Sequence, residues 1–136
     1  MKLTVQTRTL HDASTAVGWS GPRTVTIDRP REAGGLGLGF NGGELLFLAV
    51  AACYSNDIYR EAARMGIAVR SVDVEVTGEF GGDPVRAQNV TYSVTVAADA
   101  PPERVRELIE HTDRVAEVHN SLRLGTPVRL DKAQVG

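Results

Sequence analysis

Residues Leu45 to Tyr54 read Leu-Leu-Phe-Leu-Ala-Val-Ala-Ala-Cys-Tyr, a run with no charge and no helix breaker. Asn41 before it can act as an N-cap, Glu44 suits the positive end of a helix dipole, and Gly66 can close the segment at C′. The pattern predicts one helix of about six turns. From Leu45 to Cys53 every position is apolar, so no face of that half can be left to water and protein must surround it. After Ser55 the residues Asn56, Asp57, Arg60, Glu61 and Arg64 leave a narrower inward stripe of Ile58, Tyr59, Ala62 and Met65. Burying Leu45, Leu46, Phe47, Leu48 and Val50 is worth at most about 8–15 kcal/mol, comparable with the whole stability of an ordinary domain.

The other segments are what must supply that cover. Residues 2–9 alternate as a strand, Ala16–Ser20 and Arg23–Asp28 follow after turn signals, and together they predict a three-strand meander. Residues 33–43 form a Gly-rich loop. Val69–Phe80 and Val90–Val96 alternate around the Gly81-Gly82-Asp83-Pro84 turn, a hairpin. Asp99 is expected to cap a second, amphipathic helix that carries Pro101 and Pro102 in its first turn and is broken by His119-Asn120-Ser121. Thr126–Leu130 reads as a last short strand. The order is βββ-α-ββ-α-β, an α+β domain over 1–136 with antiparallel sheets packed on a long central buried helix and a second amphipathic helix. A chain of 136 residues offers only the second helix to cover the far side of the first, so an obligate homodimer is expected to complete the cover.

A net charge of −2 and the absence of any Lys/Arg run argue against a nucleic-acid partner. The apolar run is too short to span a membrane, and residues 1–7 have no signal-peptide core, so a soluble cytoplasmic protein is expected. One cysteine excludes an internal disulfide and a Cys-based zinc site, and no cofactor or metal is expected. The Gly37-Leu38-Gly39-Phe40-Asn41-Gly42 run has the spacing of a dinucleotide loop, but no strand leads into it and a hairpin follows the helix. Those glycines read instead as a close-packed loop. His11, His111 and His119 lack metal spacing and read as surface or turn residues, while Trp19, Tyr54 and Tyr59 read as core or interface.

Cys53 is the candidate catalytic residue. It lies about nine residues inside the helix, beyond the dipole, with Asp57 at i+4 opposing a thiolate and Arg60 at i+7 favouring one. An inert packed thiol and a reactive one are both compatible with that neighbourhood. Glu44 lies about 180° around the helix from Cys53, where first-turn stabilisation is its simplest role and a catalytic one the sharper. His119, Asn120 and Tyr54 are candidate pocket-lining residues.

The element order, the Gly-rich loop before a long central helix, Ala51-Ala52-Cys53 within it and Asn120-Ser121-Leu122 after the second helix resemble the OsmC/Ohr superfamily. The resemblance implies an intertwined homodimer and reduction of organic hydroperoxides by a thiol at the position of Cys53. It also implies a resolving cysteine, but Ala116 stands there. Asn41-Gly42-Gly43 replaces the family's Asn-Pro-Glu with Glu44 one place late, and the first turn, His11-Asp12-Ala13, carries no arginine nearer than Arg8. Two functions follow. In one, Cys53 reduces an organic hydroperoxide and an external thiol restores it, with Arg23, Arg29 or Arg31 as possible cations. In the other, the dimer pocket binds a small apolar ligand without chemistry.

Overall fold

A computed structural model describes residues 1–136. The elements are β1 (Gln6–Thr9), β2 (Ala16–Ser20), β3 (Arg23–Ile27), α1 (Gly42–Met65), β4 (Ala68–Gly81), β5 (Arg86–Asp99), α2 (Pro102–Val115) and α3 (Glu117–Arg123). Strands β1, β2 and β3 form one antiparallel sheet in chain order and β4 and β5 a second. The chain divides into two compact units, Met1–Leu48 with Phe80–Gln88, and Ala49–Glu79 with Asn89–Gly136.

In the first unit the meander has the register Thr7 opposite Gly18 and Gly18 opposite Val25. Asp28, 2% exposed, organises the loop that follows. Its carboxylate accepts from the Ser14 and Thr15 hydroxyls and from the amides of Arg29, Leu36 and Leu38. Burial alone would raise its pKa, but these donors outweigh burial and bring it from 3.8 to about 2. The close packing expected of the glycines is found at Gly39, where a Cβ would lie 2.3 Å from the Thr26 carbonyl oxygen. Helix α1 then opens with a reciprocal cap. The Asn41 side chain accepts from the Glu44 amide at 2.8 Å, and the Glu44 carboxylate accepts from the Asn41 amide at 3.0 Å. Phe47 stacks on Phe80 with centroids 5.5 Å apart.

In the second unit Tyr54, Ile58, Ala62, Ile67, Leu108 and Ala116 form the core. Val72, Val74, Tyr92, Val94 and Val96 pack against it from the hairpin, whose alternate residues are exposed as the period of two requires. Gly66 ends α1 at φ +68°. The buried positions of α1 are Val50, Tyr54, Asp57, Ile58, Glu61 and Ala62. Leu48, Ala49, Ala52, Asn56, Tyr59 and Ala63 are exposed, and at 3.6 residues per turn they form one stripe along the helix. This is the cover that a single chain was expected to lack, with Leu48 43% and Tyr59 50% exposed.

Several expectations need correction. Strand β1 starts at Gln6, and residues 1–5 are exposed and outside the sheet. Asp99 does not cap α2. It ends β5 and pairs with Arg70, while Pro101 stands at the N-cap position with no side-chain hydrogen bond. The second helix breaks at Ala116, whose ψ is 118°, and His119, Asn120 and Ser121 lie inside α3. Residues 126–130 form no strand and are exposed. Asp57 and Glu61, read as wet, are 5% and 2% exposed because cations and a histidine meet them there.

Candidate functional site

Residues three and four apart on a helix are neighbours, so Cys53, Asp57, Arg60, Glu61 and Arg64 fall along one flank of α1. The Cys53 thiol donates to Asp57 Oδ2 at 3.5 Å. Arg60 Nη1 lies 3.2 Å from the other oxygen of Asp57 and 3.0 Å from Glu117 on α3, and its Nε donates to Glu61 at 2.9 Å. Glu61 is also met by Arg64 at 3.1 Å and by His111 Nε2 on α2 at 2.8 Å. The hydrogen bonds from Arg60 and His111, with the Arg64 charge, overcome burial and lower the Glu61 pKa from 4.5 to about 2. Glu61 first, and then Asp57 and Glu117, raise the pKa of Arg60 against the effect of burial.

The sulfur itself is half-buried. Burial raises its pKa, the Asp57 charge and hydrogen bond raise it further, and backbone hydrogen bonds from Val118 and Glu117 oppose both without reversing them. Cys53 is therefore held as a thiol beside a carboxylate.

Behind it lies a second cluster. His119, 5% exposed, sits edge-on to Tyr92 with centroids 4.7 Å apart and 5.7 Å from Tyr54. The Tyr54 hydroxyl donates to the Ile109 carbonyl at 2.9 Å, and the Tyr92 hydroxyl donates to Asp113, which Arg123 also holds at 2.7 Å. Burial, and then the neighbouring Asp113 charge, push both phenol pKa values up. The Tyr92 and Arg123 hydrogen bonds keep Asp113 below its ordinary value despite burial. Burial and the Arg123 charge lower the pKa of His119, with Asp113 and Asp57 opposing.

The Cys53 sulfur and carboxylate oxygens of Asp57 and Glu117 lie within 4.8 Å of one another. The guanidinium of Arg60 already bridges the two carboxylates, so their charge is met from within the chain.

The structure brings Cys53, Asp57 and Arg60 together as helical spacing foretold, and places Tyr54 and His119 in one cluster. Asn120 serves the backbone instead, donating to the Arg114 carbonyl at 2.9 Å across the α2–α3 break. Glu44 is engaged in its cap within the first unit. His11 is an exposed turn residue, whereas His119 and His111 correct the surface reading, the first by burial and the second by its bond to Glu61. Tyr92, Asp113 and Glu117 had no local signal. They reach the site from separate elements, and only tertiary packing unites them.

The model of the OsmC-like protein family matches residues 34–131. The chain belongs to that family. The OsmC-like protein of Mycoplasma pneumoniae superposes on it with a TM-score of 0.77 at 20% identity, over 90% of this chain and 88% of that one. The organic hydroperoxide resistance protein OsmC of Legionella pneumophila gives 0.60 at 19% identity, over 90% of each chain. The organic hydroperoxide resistance protein OhrB of Bacillus subtilis gives 0.57 at 18%, over 90% and 91%. At these identities the likeness is one of fold. No curated protein matches the sequence. In this OsmC-like chain Ala116 is fully buried in the core, and no helix is long and apolar enough to cross a membrane.

Proposed function

We propose that this OsmC-like protein is a cytoplasmic homodimer that reduces organic hydroperoxides at Cys53 and is restored by an external thiol. The observation that carries the reading is the thiol hydrogen-bonded to Asp57, whose carboxylate Arg60 orients, the nucleophile, base and orienting group of a thiol enzyme. Because the sulfur rests as a thiol, its proton must leave as it reacts. Asp57 accepts that proton, the sulfur attacks the distal oxygen, an S–O bond forms and the O–O bond breaks. Asp57 then returns the proton to the departing alkoxide, leaving an alcohol and a sulfenic acid. One external thiol condenses with the sulfenic acid, releasing water, and a second frees Cys53 as the external disulfide. A resolving cysteine is not needed for this cycle.

The second copy supplies the missing cover. Leu48, Ala49, Ala52 and Tyr59 form an apolar stripe whose edges lie about 120–140° of helix turn from Tyr54 and whose Ala49 side is about 40° from Cys53, so a partner laid on it creates a sheltered apolar cleft next to the sulfur. Light scattering should give a dimer at low micromolar concentration, and Ala52→Arg should make it a monomer. A wild-type monomer would remove this part of the reading. Intact mass after mild treatment with an organic hydroperoxide should show one added oxygen on Cys53, reversed by thiol. No addition would defeat the catalytic reading.

The raised thiol pKa favours a second reading, a cleft that binds a small apolar molecule with Cys53 as packing. Cys53→Ser separates the two. It abolishes peroxide consumption in the first and leaves ligand affinity nearly unchanged in the second.

A further inference from the structure

His119 is buried with both ring nitrogens lacking any hydrogen-bond partner. Buried polar atoms are nearly always paired, so this imidazole stands out. It is held by shape alone, edge-on to Tyr92 and against Tyr54. The neighbouring hydroxyls are turned to other groups, that of Tyr54 donating to the Ile109 carbonyl and that of Tyr92 to Asp113, and neither oxygen is a hydrogen-bond partner of the ring. The charged groups facing the ring are Asp57 from α1, Asp113 from α2 and Arg123 from its own helix, with the Tyr54 and Tyr92 phenols from α1 and β5. Asp57 is held by Arg60 and Cys53, and Asp113 by Arg123 and Tyr92, so neither carboxylate bonds the ring.

Helix α3 has seven residues, and His119 is the one fully buried among them. One and two positions before it stand Val118 and Glu117, whose backbone amides lie close enough to the Cys53 sulfur to favour its thiolate, and a Glu117 carboxylate oxygen lies within 4.8 Å of that sulfur. The ring therefore pins the segment that covers the thiol. We propose that His119 is an acid-sensitive latch: when its ring takes up a proton, α3 leaves Tyr54 and Tyr92 and uncovers Cys53. An imidazolium has two N–H donors and finds no acceptor in the aromatic slot, so the protonated ring is stable only outside it. The sign follows from burial, which holds the pKa of the docked ring below the ordinary 6.5. The docked form is favoured above that value and loses ground as the pH falls below it. The latch governs access to the thiol and stands whether or not Cys53 reduces peroxides.

The full-length protein is treated with 4,4′-dithiodipyridine, which remains reactive in acid, and each rate is divided by that of a small free thiol at the same pH. Between about pH 8 and pH 5 the normalised rate should rise about tenfold in the native protein, with far-UV circular dichroism unchanged, and stay flat in His119→Phe, which keeps a ring but cannot titrate. A flat native profile, or an equal rise in His119→Phe, overturns the latch. Should that variant not fold, amide exchange of the native protein decides. Loss of protection in α3 while α2 keeps its own supports the latch, and equal loss in both helices refutes it.

Discussion

Replacing Asp57 by Asn tests the thiol chemistry most directly, because it removes one charge beside the sulfur while keeping the shape of the side chain. At 3.5 Å from the sulfur, a full carboxylate charge opposes a thiolate by about 1 kcal/mol if screened as in water and by about 5 kcal/mol at an effective dielectric of 20. Cys53 is half-buried, and Arg60 sits 3.2 Å from the same carboxylate, so the lower end applies. About 1.4 kcal/mol is tenfold in thiolate, and alkylation by iodoacetamide at neutral pH should become about tenfold faster in Asp57→Asn. Peroxide turnover should move the other way. The departing alkoxide needs a proton that iodide does not, and loss of a positioned proton donor costs about a hundredfold or more. Measured on one preparation, the two rates should therefore diverge. Unchanged or slower alkylation would refute the electrostatic account of the thiol. Turnover that rises in step with alkylation would refute the proton route through Asp57.

Ile58→Ala should destabilise the protein by about 2–5 kcal/mol in urea unfolding, since Ile58 is fully buried and the neighbouring core leaves a cavity in its place. A loss under about 1 kcal/mol would mean that the second-unit core is looser than its packing indicates. Acid should weaken the fold through Asp28 and Glu61. Both pKa values are lowered to about 2, so their contribution is complete above the ordinary 3.8 and 4.5 and is lost as the pH falls towards 2. Urea midpoints that stay constant across that window would contradict this. Gly39→Ala should lower the melting temperature, because its Cβ would meet the Thr26 carbonyl at 2.3 Å, whereas Gly42→Ala, with nothing within 4 Å, should leave it unchanged or raise it. Equal effects would show that the close approach at Gly39 is not what matters there.

The parts of this molecule legible in the sequence are those fixed by local geometry. Asn41 and Glu44 cap α1 as their spacing requires, Gly66 closes it with a positive φ, and Val72, Val74 and Val76 alternate with exposed partners along β4. Cys53, Asp57 and Arg60 were legible for the same reason, since helical periodicity alone places them on one flank. Asp99 misled because a carboxylate before two prolines has the look of a cap, but Arg70 on the neighbouring strand is a better partner than the amides of a helix whose first positions include Pro102. The 126–130 segment alternates as a strand does, yet a strand also needs a partner, and this segment pairs with none of the edges of the two sheets.

The reading of Glu61 and His119 as wet shows where local reasoning stops. A charge count along α1 assigns every ionic residue to solvent, because desolvating an unpaired charge is prohibitive. The count cannot see that His111, fifty residues later, and the adjacent Arg60 meet Glu61 once α2 packs on α1. His119 errs in the opposite direction, buried without any partner at all. A paired buried charge stabilises the packing that buries it, whereas an unpaired imidazole leaves that packing conditional on its staying neutral. Glu61 lies on the helix of the lone thiol and His119 on α3 beside it, so one side of the site is tied by a carboxylate whose pKa is lowered to about 2, while the seating of α3 also depends on a ring whose pKa burial holds below the ordinary 6.5. That asymmetry confines any opening to α3 and leaves the Asp57–Arg60 side in place to work on whatever enters.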